Sequence, residues 1–182
     1  DNLGVEGTVY DYYREDNGEE IPEYVRDSSK KNYDSSDSYA ATFLSLIYNY
    51  HNNYGDEEFV LSIVDELKIV ASAINATMQD YGLTYAKPDY ATAYMMDNTE
   101  VWRGYEDFAL LLDELNDQDA EYYQQESDRV REAIETYLWD EEKQGYKPYK
   151  RKDLDWNKFY PDARANMRAI AFDLPEALER KE

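Results

Sequence analysis

The chain has 182 residues, 42% of them hydrophobic and 33% charged, enough to bury about 70% of its unfolded surface in one core and too few for a sizeable second one. No apolar run approaches the roughly 18 residues a membrane span requires, and 41 acidic against 19 basic residues create a field that repels nucleic-acid phosphates, anionic lipid and polyuronic acids. Cysteine is absent and His51 is the one histidine, which excludes disulfides, thiolate zinc, a cysteine nucleophile and any multi-histidine metal site.

Residues 1–33 read as an extended N-terminal segment. It starts at Asp1 with no basic-then-apolar leader before Gly4, so a processed or trimmed N-terminus is expected. The cluster Asp16-Asn17-Gly18-Glu19 lacks the alternating ligand spacing of a calcium loop. From there the pattern turns helical. Tyr39, Phe43 and Ile47 with Ala40, Leu44 and Tyr48 form a broad apolar face ending near Asn53 and Gly55. Asp56 is placed to cap a second helix, on which Phe59, Ile63, Leu67, Val70, Ile74 and Met78 recur at three- or four-residue steps. The two make a hairpin.

Tyr81 to Pro88 reads as a short extended connection. A second hairpin follows, with Val101, Tyr105, Phe108, Leu112 and Leu115 on one helix, a turn at Asn116 to Gln118, and Tyr123, Val130, Ile134, Tyr137 and Leu138 on its neighbour. The charge run from Asp113 to Glu135 is the solvated face of that outer helix. After another connection at Gly145 to Tyr149, Pro161 suits the first turn of a third inner helix carrying Ala163, Met167, Ile170 and Ala171, and Pro175 opens one more. His51, at a helix end, reads as structural.

Helix starts at Asp37, Asp97 and Asp162 recur at a near-constant interval of about 60–65 positions, which identifies a repeating helical hairpin. The expected architecture is all-α: one domain over 1–182, with about three hairpins in 34–182 and short extended connections. Hairpins of this kind bury their faces only by stacking into a solenoid or ring. The third is cut short at Glu182, so a fragment or a reduced ring is expected, and its open faces call for self-association or for the rest of the ring.

Each inner helix opens with polar side chains, where free backbone N–H groups and the helix dipole favour acids. The first start contains Asp34, Ser36 and Asp37, which capping alone also explains. The second packs Asp97, Asn98, Glu100, Trp102 and Arg103 into seven positions. Trp102 offers either a sugar-stacking face or a core residue, and Arg103 either a carboxylate clamp or a partner for Glu100. The third has Trp156, Tyr160, Asp162, Arg164 and Arg168. With 20 Tyr against 5 Phe, the chain favours aromatic faces that carry a hydroxyl, which suit wet polar ligands such as sugars.

The run YPDAR followed by Met167 and Arg168 resembles the motif of family-eight glycoside hydrolases in which Tyr, Asp, Ala and Arg open a helix bearing the catalytic base. DSSDSYAATFL resembles that family's earlier acidic motif, where an Asp binds substrate. The resemblance implies part of a six-hairpin (α/α)6 toroid that hydrolyses glycosidic bonds of an oligo- or polysaccharide, with Asp162 as base and Asp37 beside it. Two departures stand out: Pro161 separates Tyr160 from Asp162, and Ser replaces a Gly between the first acids. The family's acid motif would fall before Asp1, so Glu100 is the candidate acid. Inversion would then need carboxyl groups roughly 6.5–9.5 Å apart.

Asp34, Tyr39, Asp97, Asn98, Trp102, Arg103, Trp156, Tyr160 and Arg164 are the candidate substrate-binding residues. No cofactor and no metal are implied, and an extracellular or cell-surface location is expected. The alternative is a non-catalytic carbohydrate-binding toroid associated with exopolysaccharide metabolism. A lyase acting on uronic acids is disfavoured by the net charge of −22.

Overall fold

The computed structural model describes residues 5–15, 23–26 and 33–180. In the N-terminal segment, β1 (Tyr12–Glu15) and β2 (Glu23–Arg26) pair antiparallel, with Tyr12 opposite Arg26. The acidic cluster at 16–19 lies outside the described residues.

Helix α1 spans Asp37–Tyr54 and stops at Gly55, whose φ of 65° is the left-handed conformation a glycine adopts without steric cost; its N–H donates to the His51 carbonyl at 2.7 Å. Asp56 then starts α2 (Glu57–Asn75), its Oδ1 accepting from the Phe59 N–H at 3.2 Å. The predicted cap and the predicted stop are both where the periodicity puts them. Helices α3 (Met95–Glu114) and α4 (Ala120–Leu138) form the second hairpin, turning through Asn116 at φ 57°.

A small ladder of β3 (Trp139–Asp140) with β4 (Gly145–Tyr146) leads to the third unit. Here the structure corrects the expected helix start. Phe159–Ala163 forms a wide turn in which Tyr160 is extended (φ −116°, ψ 131°), so regular helix α5 covers only Arg164–Ala171. Helix α6 (Pro175–Glu179) opens with its proline in the first turn, where the missing N–H costs no hydrogen bond.

Helix α3 organises the core. Met95, Val101, Trp102, Tyr105, Phe108, Leu111 and Leu112 are almost wholly buried, each contributing about 1.5–3 kcal/mol of burial. One side of α3 packs on α1 and another on α4, while α5 touches it near its start, where Arg168 meets Glu100. The α1 contact is a backbone-to-backbone approach, because a Cβ on Gly104 would stand 2.6 Å from the Ala41 carbonyl oxygen and 2.7 Å from its Cα. The result is an inner layer of α1, α3 and α5 backed by α2, α4 and α6: an all-α, α/α-toroid arrangement of helical hairpins, three of them among the described residues. Among the described residues, no helix is long and apolar enough to cross a membrane.

Candidate functional site at the inner-helix starts

Because the chain returns through an outer helix after each inner one, α1, α3 and α5 all point the same way and their N-terminal ends gather on one face. A cleft of about 460 Å³ opens there. Asp34, Ser38 and Tyr39 come from the start of α1, Tyr94 and Asp97 from the start of α3, and Tyr160 and Pro161 from the turn before α5. The connections supply the rest: Lys87 and Tyr90 before α3, Tyr149 and Lys152 after β4.

The aromatic wall is ordered by ring contacts. Tyr90 stacks on Tyr94 with centroids 6.4 Å apart and interplanar angle 15°, their hydroxyls lie 3.2 Å apart, and Tyr149 meets Tyr94 edge-on at 5.6 Å. The two connections are also joined by backbone bonds, Met95 N–H to the Pro148 carbonyl (2.9 Å) and Lys150 N–H to the Ala93 carbonyl (3.2 Å). The wall is therefore fixed by pairing between distant segments.

The acids of the cleft do not behave alike. Burial, then the charges of Asp37 and Asp34, push the Asp97 carboxyl well above the ordinary aspartate range, with Arg168 opposing. Asp34 is exposed. Tyr39 is pushed up to about 12 by burial and by its bond to Asp11, with Asp34 adding to it. Burial, Tyr90 and Asp97 likewise raise Tyr94. Protons are thus retained on the phenols and favoured on Asp97.

The residues singled out from sequence fall into three groups. Asp34, Tyr39, Asp97 and Tyr160 line the cleft. Asp37, Glu100 and Asp162 lie behind it, buried and engaged. Asp37 accepts from the Ser35 hydroxyl, from Thr84 Oγ1 at 2.6 Å and from the Ser38 N–H at 2.7 Å, and burial raises its pKa against these bonds. Glu100 is ion-paired with Arg168. Asp162 takes Lys152 Nζ at 3.0 Å and the Asp155 N–H at 2.9 Å.

The third group lies elsewhere. Trp102 is 1% exposed and packs in the core, so the core alternative describes it rather than the stacking one. Arg103 pairs with Asp107 at 2.9 Å and Glu106 at 3.2 Å, whereas the partner of Glu100 is Arg168. Asn98 is buried in bonds to Thr84 and Tyr94. Trp156 lines a separate groove with Trp139 and Arg180, its Nε1 donating to the Lys143 carbonyl at 2.9 Å. Arg164 is exposed and off the cleft lining.

Sequence reasoning missed Lys87, Tyr90, Tyr94, Tyr149 and Lys152. The signal was present in the tyrosine excess and the Tyr- and Lys-rich connections, which read only as turns.

A helical-hairpin scaffold with a tyrosine-walled cleft at the inner-helix starts is the class of protein that fold and site define. No protein-family model and no curated protein matches the sequence. Among solved structures, a rhamnosidase from Klebsiella oxytoca with rhamnose bound is similar over 96% of this chain, with a TM-score of 0.69 and 13% identity. The likeness is one of fold. The chain spans about a third of that protein, 34% of its length.

Proposed function

We propose that this chain is the sugar-handling part of a glycoside hydrolase, acting on an oligo- or polysaccharide in the cleft at the starts of α1 and α3. The observation that carries the reading is the pairing of two unlike carboxyl groups in one tyrosine-walled cleft: Asp97, whose pKa is raised, and Asp34, which is exposed. A carboxyl whose pKa is raised by burial and like charges holds its proton more tightly and is suited to donate it to the leaving glycosidic oxygen. Asp34 would take a proton from the water that attacks the anomeric carbon. The volume of about 460 Å³ falls in the roughly 300–1,000 Å³ range of small-molecule sites, and tyrosine faces suit pyranose stacking. The likeness in fold to a rhamnosidase supports the carbohydrate class. An extracellular or cell-surface location goes with a polysaccharide substrate.

Asp162, the base implied by the resemblance to family-eight enzymes, enters this scheme as a positioning residue through Lys152, and Glu100 as the partner of Arg168. The test is release of reducing ends from a panel of oligosaccharides by the full-length chain. Asp97→Asn and Asp34→Asn should each lower kcat by about 10²-fold or more, with little change in binding. If Asp162→Asn abolishes cleavage and Asp34→Asn does not, the base is Asp162.

A second reading, a carbohydrate-binding toroid without catalysis, is favoured by the ion pairs that occupy Asp162 and Glu100. Oligosaccharide binding with no cleavage in any arm would establish it.

A further inference from the structure

Beside the main cleft, whose charged lining sets Asp34 and Asp97 against Lys87 and Lys152, lies a second hollow whose charged lining is wholly basic. It measures about 240 Å³ and is lined by Tyr81, Tyr85, Ala91–Ala93, Tyr149, Lys150 and Arg151, with no acidic residue among them. Tyr149 belongs to both hollows, so they adjoin. In a chain with 41 acidic and 19 basic residues, a hollow whose charged lining consists of two cations needs a reason.

The cations are held in place. Lys150 Nζ sits 3.3 Å from the centroid of the Tyr81 ring and 4.4 Å from that of Tyr137, an arrangement that fixes the ammonium by cation–π attraction without neutralising it. The Lys150 N–H is bonded to the Ala93 carbonyl across the hollow at 3.2 Å, which sets the spacing between its two walls. Arg151 is exposed, and its charge reaches the Tyr81 phenol. None of the ion pairs that engage Lys68, Lys152 or Lys158 is matched at Lys150 or Arg151 among the described residues.

We infer that this hollow is a subsite for an exocyclic anionic group on the carbohydrate, a uronate carboxylate or a sulfate ester, whose neighbouring sugar ring lies on Tyr149 in the main cleft. The inference rests on the proposed carbohydrate function and gives it a substrate class. The whole-chain charge, which on its own disfavours polyuronic acids, does not decide the matter. Exposed charges are screened over about 8 Å at physiological ionic strength, so the guanidinium and ammonium in contact with the anion outweigh the distant acids. A planar carboxylate suits the two-pronged donor face of Arg151, and Tyr85, hydrogen-bonded to Tyr81, lines the same hollow.

Calorimetric titration of the full-length chain tests the subsite, using short oligogalacturonates, the same oligomers as methyl esters, and a sulfated disaccharide beside its desulfated form. The charged member of at least one pair should bind about ten-fold more tightly than its neutral form, the scale of one charge-assisted hydrogen bond. The pair that shows the preference identifies the anion. Arg151→Gln, at an exposed position, should remove most of that preference while leaving Tm unchanged, and Lys150→Gln provides the second arm.

Equal binding of charged and neutral forms in both pairs overturns the subsite, as does a preference that survives both substitutions. The two proposals fail separately. Cleavage lost in Asp97→Asn without any charge preference leaves the hydrolase and removes the subsite; preference without cleavage does the reverse.

Discussion

Asn98 accepts from the Thr84 N–H at 2.8 Å and donates to the Thr84 carbonyl at 3.2 Å and to the Tyr94 carbonyl, four residues back, at 2.8 Å. Asn166 repeats the set on Tyr146, at 2.7 and 3.0 Å, and on the Asp162 carbonyl at 3.0 Å. Each amide clamps an inner helix to the connection that precedes it. Superposing Asn98 on Asn166 aligns Tyr94 with Asp162 and Asp97 with Ala165. The interval read from the aspartates is thus offset by three, and Asp97 has no acidic counterpart in the third unit. Asn98→Ala should cost about 2–3 kcal/mol, since it strands a buried peptide N–H at Thr84, and urea unfolding measures it.

Asp97 carries a linkage prediction. Its folded pKa lies above the unfolded value of 3.8, so the native state binds more protons than the unfolded one once pH exceeds that value. Stability is therefore lost as pH rises from the unfolded pKa to the folded one. Asp97→Asn should raise Tm at neutral pH by about 2–4 °C, the shift ~1 kcal/mol gives in a chain of this size, and should flatten the pH dependence of Tm. An unchanged slope would mean the carboxyl is not crowded.

At the scale of elements, α1 packs against α3 with no room for a side chain at Gly104. Gly104→Ala should destabilise by about 1–3 kcal/mol through overpacking. Ala41→Gly should not rescue it, because that change removes only the Cβ contact at 2.7 Å and leaves the two backbone contacts. Thermal melts of the single and double variants decide.

The helices were legible where burial is one-sided. Leu44, Leu67, Ile74, Phe108, Val130 and Ile134 are all buried as their periodicity predicts. What periodicity could not supply was pairing between segments: β1 with β2, β3 with β4, or Tyr94 with Tyr149. Nor could it tell how two acids on one side of a helix start would be engaged. Asp97 and Glu100, three residues apart, lie on nearly the same face of α3, yet Asp97 lines the cleft while Glu100 is buried and paired with Arg168 from α5. The Tyr160 backbone is extended rather than helical, the conformation a following proline favours.

At the scale of the whole molecule, the inner helices bring the positive ends of their dipoles to the face where Asp34, Asp37 and Asp97 crowd together, which eases the repulsion among them. The connections add Lys87, Tyr90, Tyr149 and Lys152 to the same cleft. Part of the cleft lining therefore comes from segments outside the helical scaffold, which can vary without disturbing the helix packing.

The backbone bonds of Met95 and Lys150 each cross between stretches that are far apart along the chain. Neither amide can be shielded by local helix formation, so both report on the same docking event. In deuterium labelling they should become exposed together, more readily than the amides of Phe108 or Leu112 in mid-helix, and an oligosaccharide seated against Tyr149 should slow the pair in step. Independent exchange at the two positions would show that the tyrosine wall opens piecemeal.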